Sequence, residues 1–126
     1  MEKYSVKIAD VEIPLRYTMR ELGDMEEAIG TMDNFRDLIL KGKRRVRNMT
    51  TAIRVMGNAG LANDGKKPVL TDDWLLDHLD PNQIKTYQIA VLGAFTDGFQ
   101  MESEVEAKGR RDLVLEEIER KKDGGN

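Results

Sequence analysis

The sequence predicts a mainly α domain with a small N-terminal β-hairpin, an α+β chain of about five helices followed by a charged C-terminal helix and tail. Three observations predict it. Residues 4–16, "YSVKIADVEIPLR", alternate apolar and polar positions, the period of a half-buried strand. From Thr18 to Phe99, apolar residues recur at spacings of three and four between helix-capping residues. Only three prolines occur, at 14, 68 and 81, so long helical runs stay intact. Residues 1–101 read as one globular domain, with the hairpin at 4–16 and helices over 18–99. Residues 102–126 read as a charged helix ending in a frayed tail.

In the hairpin, Tyr4, Val6 and Ile8 share one side of the first strand, and Val11, Ile13 and Leu15 one side of the second. Ala9-Asp10 fits a tight turn, and Pro14, which has no N–H to donate, belongs at an edge or strand end. Thr18 and Glu21 have the T-x-x-E spacing of a capping box. Met19, Leu22, Met25 and Ile29 then fall on one face, and Gly30 supplies a left-handed stop. Asp33 is placed to cap a short helix carrying Phe35, Leu38 and Ile39, closed by Gly42. Val46, Met49, Ile53 and Met56 stripe the next helix, which Gly57 and Gly60 are expected to break, leaving 58–70 as a loop. Thr71 caps a short helix with Trp74, Leu75, Leu76 and Leu79. Asp80-Pro81 then restarts the chain for a helix from about Asn82 to Phe99. Val105, Leu113, Leu115 and Ile118 give the charged remainder a thin stripe.

Several chemistries lack their residues. No cysteine is present, which removes disulfides, thiolate zinc sites and cysteine nucleophiles together and suits a reducing cytoplasm. There is no Walker loop, G-x-G-x-x-G or H-E-x-x-H. His78, the single histidine, reads as a surface residue, because a general base or metal ligand needs partners held around it. Asp72-Asp73 follows a Thr cap, where helix-dipole stabilisation accounts for both carboxylates. The N-terminus lacks the apolar core of a signal peptide, and no stretch approaches the roughly 18 apolar residues of a membrane span.

Two features point towards association. The run "KGKRRVR" gathers Lys41, Lys43, Arg44, Arg45 and Arg47. It reads as a solvated helix start, as a nucleic-acid patch, or as a surface that steers an acidic protein partner. A net charge of −3 argues against the nucleic acid. The seven methionines read first as core filling at Met19, Met25, Met49 and Met56, and otherwise as an adaptable surface for varied apolar partners.

The order of motifs adds a resemblance. Leu15, Arg16, Tyr17 and Thr18 end the hairpin, Glu26, Glu27 and Gly30 follow on the first helix, and Gly60-Leu61 and Thr71 with Asp73 come later. Over about residues 11–99 this series resembles the small tail assembly chaperones of long-tailed phages and gene-transfer particles. The resemblance implies a non-enzymatic protein without catalytic residue, metal or cofactor, working in the host cytoplasm. Its implied partner is the tape-measure protein, a long helical chain kept soluble until tail-tube subunits displace the chaperone. Contact with the tail-tube protein and self-association are further implied options. The region around 82–99 has more apolar positions than one helix face buries. Trp74, Phe95, Phe99, Met101 and Leu113 are therefore the candidate partner-binding residues, with Lys41, Lys43, Arg44, Arg45 and Arg47 as an electrostatic patch. The competing readings are a structural tail or neck component retained in the virion and a small helical DNA-binding regulator.

Overall fold

The computed structural model describes the backbone of residues 4–104 and the side chains of residues 4–97. Two strands, β1 (Tyr4–Ile8) and β2 (Val11–Leu15), pair antiparallel. Five α-helices follow: α1 (Met19–Ala28), α2 (Phe35–Leu40), α3 (Arg45–Asn63), α4 (Asp72–His78) and α5 (Ile84–Glu104). Short 3₁₀ turns, Met32–Asn34 and Pro81–Gln83, lead into α2 and α5. The protein is thus a mainly helical domain carrying a small N-terminal hairpin.

The hairpin turns through Ala9 and Asp10, both left-handed at φ 50° and 63°. Positive φ at both central residues matches the right-handed twist of the strands. Val6, Ile8, Ile13 and Leu15 are buried on one face. Val11, predicted to join them, is 51% exposed, although Ile8 opposite it is buried. Pro14 pairs with Ser5. Counted from the two-residue turn, that is a pair without ladder hydrogen bonds, so the missing N–H leaves no gap.

Helix α1 starts as its capping box requires: the Glu21 carboxylate accepts from the Thr18 N–H at 2.7 Å and from its hydroxyl at 2.6 Å. Met25 is fully buried, whereas Met19 is 73% exposed. The expected stripe fails at its first residue because Met19 lies about a quarter-turn from the direction set by Met25 and Ile29. Met25, Met32, Met49 and Met56 are all buried, so these methionines fill the core. Asp33, expected as a cap, instead sits inside the 3₁₀ turn before α2.

Three of the last carbonyls of α2 have partners. Asp37 accepts from the Lys41 N–H, Leu38 from the Asn48 amide at 3.0 Å, and Ile39 from the Gln88 amide at 3.1 Å. Two other helices therefore close the end of this one.

Helix α3 corrects the largest expectation. It does not break at Gly57 and Gly60 but runs on to Asn63, so the loop spans 64–71 rather than 58–70. The glycines are where β2 lies on the helix. A Cβ at Gly60 would overlap the Pro14 carbonyl, and one at Gly57 would stand 2.8 Å from a Leu70 methyl and 2.9 Å from one of Ile13. At this approach the Arg16 N–H donates to the Met56 carbonyl at 3.0 Å. A helix interior glycine costs roughly 1 kcal/mol relative to alanine, a loss offset by burial of the hairpin face. The same device recurs on α5, where Gly93 makes room for the Tyr4 ring, whose hydroxyl donates to Asp97. Helix α5 itself crosses the expected boundary at residue 101 and is described as far as Glu104.

Candidate functional site

Residues 41–47 form the turn between α2 and the start of α3, and all seven are exposed. Lys41 pairs with Asp37 at 3.7 Å, and the Arg45 guanidinium donates to the Gly42 carbonyl at 3.3 Å. Among the described residues Lys43, Arg44 and Arg47 have no partner. The patch expected from sequence thus presents three free cations on one short segment.

An apolar cleft of about 170 Å³ opens beside it. Val46 and Met49 of α3, Leu76 and Leu79 of the α4 end, and Ile84 and Tyr87 of α5 line it. A cavity of about 150 Å³ accepts a ring the size of benzene, so this cleft suits one or two aliphatic side chains. Asp80 and Pro81 also line it, and the exposed basic run adjoins it in sequence at Val46. Val46 is 37% exposed at its mouth, which is why this residue of the α3 stripe is not core.

The cleft exists because α4 is short and apolar on more than one side. Leu75 is fully buried against α3, leaving Leu76 and Leu79 on the flank. The Thr71 hydroxyl accepts from the Trp74 N–H at 3.1 Å and starts the helix. Arg54 of α3 grips its first turn through Asp72 at 2.8 Å. Asn58 fixes the preceding loop: its amide donates to the Leu70 carbonyl at 3.1 Å and accepts from the Leu70 N–H at 2.9 Å.

Comparison with protein-family models, with curated proteins and with solved structures returns no match.

The expected partner-binding residues separate into different neighbourhoods. Trp74, half-buried on α4, stacks on His78 with ring centroids 4.3 Å apart. Phe95 lies between Phe35, at 4.5 Å, and Tyr17, at 5.0 Å, and packs against the core. Phe99 and Met101 lie on α5 beyond the described side chains, and Leu113 lies outside the described residues. Val46, Met49, Leu76, Leu79 and Ile84 were not singled out, because each alone reads as an ordinary stripe residue. The available signal was the crowding of Trp74, Leu75, Leu76 and Leu79 into the seven-residue helix and its C-cap, more than one face holds.

His78 is exposed, with Nδ1 2.8 Å from the Trp74 carbonyl oxygen. It lines a polar cleft of about 450 Å³ with Lys7, Asp10 and Asp80. Among the described residues no three His, Cys, Asp or Glu side chains are grouped to hold a metal. A third cleft, of about 570 Å³ between α1 and α3, is rimmed by Arg20, Asp24, Glu27 and Arg54. Tyr17 is the one buried polar side chain without a hydrogen-bond partner among the described residues. Burial first, then the charges of Glu26 and Glu21, push its phenol up to about 12. No helix among the described residues is long and apolar enough to cross a membrane.

Proposed function

We propose that the protein is a tail assembly chaperone of the long-tailed phage type, acting in the host cytoplasm by binding the tape-measure protein without chemistry. The observation that carries the proposal is the apolar cleft of Val46, Met49, Leu76, Leu79 and Ile84 set beside the unpartnered Lys43, Arg44 and Arg47. An amphipathic client helix has the complementary form: an apolar ridge to seat in the cleft and acidic flanks to meet the cations. The motif series from Leu15 to Asp73 supports the same assignment.

A long helical chain made before its tube exposes apolar stripes that aggregate. A cleft taking one or two side chains per copy gives weak individual contacts, and many copies along one client give coverage. Weak contacts also release readily, as tube subunits need them to. The basic run speeds encounter with an acidic stripe and loses that advantage as salt rises.

The test is co-expression with the tape-measure protein encoded alongside this chain. The client should be soluble and monodisperse with the chaperone and should scatter light without it. Val46→Asp should abolish the protection while leaving the fold intact. A client that stays clear by itself overturns the proposal. Retention of this chain in purified particles, read by mass spectrometry, would make it a structural component instead.

A further inference from the structure

The two edges of the hairpin are finished differently. On β2, α3 covers the edge: the Pro14 carbonyl rests on Gly60, and the Arg16 N–H donates to the Met56 carbonyl. On β1, Ser5 and Lys7 stand at pairs without ladder hydrogen bonds, so their N–H and C=O groups point away from β2. Among the described residues none of these backbone groups has a partner. The Lys7 ammonium is exposed and unpaired as well, while Glu12 across from it accepts from the Ser5 hydroxyl at 2.8 Å. An apolar side chain lies along the same edge. Helix α5 packs under β1, and α3 under β2. Gly93 of α5 lies beneath the Tyr4 ring at one end of β1, and Gln83 and Thr86 lie beside Lys7, Ala9 and Asp10 at the other. Ile89 falls between these ends, rotated about 40° from Gly93 and away from the core side marked by Val91 and Ala94. It therefore flanks β1 on the side away from β2, and it is 69% exposed. Lys85, one turn earlier on that flank, is exposed and has no partner among the described residues.

We infer that the β1 edge takes an extended segment of a partner protein as a third strand, one in which acidic and apolar residues alternate. The unpaired backbone groups specify an extended main chain, because a helix has already used its own N–H and C=O groups. In an antiparallel third strand the residues opposite Ser5 and Lys7 turn their side chains to the same outer face. Carboxylates there meet Lys7, and the apolar side chains between them turn inward over Ile89. Lys85 adds a second cation beside the strand. Lys7 also selects against a second copy of this chain: two β1 edges brought together put two Lys7 side chains on one face, where like charges repel. The edge shares no residue with the apolar cleft, so the inference goes beyond the chaperone reading and does not depend on it.

The test is a titration of isotope-labelled full-length protein with a short acetylated peptide alternating glutamate and valine, followed by amide exchange in NMR. The Ser5 and Lys7 amides should exchange freely in the protein alone and about tenfold more slowly at saturating peptide. Methylating the glutamate nitrogens of the peptide, the ones that face β1, should weaken binding about tenfold, and Ile89→Asp, at an exposed position, should do the same. Lys7→Pro removes one outward N–H without touching the β1–β2 ladder. It should weaken binding too, while the Val6 and Ile8 amides stay protected. A peptide that leaves the Ser5 and Lys7 amides unprotected overturns the proposal, as does binding indifferent to N-methylation and to Ile89→Asp. Slow exchange of those two amides in the peptide-free protein also overturns it. Protection that rises with protein concentration would give the edge to a second copy, and protection independent of concentration would give it to the chain's own residues.

Discussion

The two halves of α3 follow opposite rules. The C-terminal half is gripped: β2 lies directly on Gly57 and Gly60, and Asn58 holds both backbone groups of Leu70. The N-terminal half is open: among the described residues Lys43, Arg44 and Arg47 around its start have no partner, and Val46 looks into a cleft that its own fold leaves partly empty. The contrast teaches how one helix serves both purposes. Substitutions in the gripped half should be read out as stability, and substitutions in the open half as binding with little change in stability.

The sharpest way to break the contrast is Gly60→Ala. The new methyl overlaps a backbone carbonyl, which cannot rotate away as a side chain can. Urea unfolding should show a loss of about 3 kcal/mol. Gly57→Ala meets only the ends of Leu70 and Ile13 and should cost about 1 kcal/mol. If the two lose equally little, the seam is not as tight as described. Phe95→Ala should cost about 3 kcal/mol as well, since its ring fills the space between Phe35 and Tyr17. An unchanged melting temperature would return Phe95 to the partner-binding set. Asn58→Ala strands two backbone groups of the buried Leu70 and should cost about 2 kcal/mol.

Tyr17 gives a smaller effect with a definite pH sign. Its phenol ionises near 10 when unfolded and is pushed up to about 12 in the fold, so the fold favours the neutral form. The resulting stabilisation is complete below pH 10 and fades as pH rises from 10 to 12. Tyr17→Phe should flatten that alkaline limb and, by removing an unpartnered hydroxyl, stabilise the protein at neutral pH by about 1 kcal/mol. At the open end, Arg44→Ala with Arg47→Ala should move stability by less than about 0.5 kcal/mol. A larger loss there would mean the basic run is structural.

Much of the fold was legible because its signals are local. Thr18 with Glu21, Thr71 before Trp74, and the strand alternation each act within a few residues, and all appear as expected apart from Val11. Gly57 and Gly60 misled because local propensity scores a glycine as a break. Their reason for being there is a strand 42 or more residues away in sequence. Their spacing of three, which puts both on one helix face, was the clue to a contact. The basic run could be read directly, since like charges in sequence stay together in space. The cleft could not, because α3, α4 and α5 each supply only two or so of its walls.

Trp74, the chain's single indole, stacks on His78 one helical turn before Leu79. Its emission should therefore respond to anything seated against α4. The molecule needs no added fluorophore for a titration to reveal when this corner is occupied.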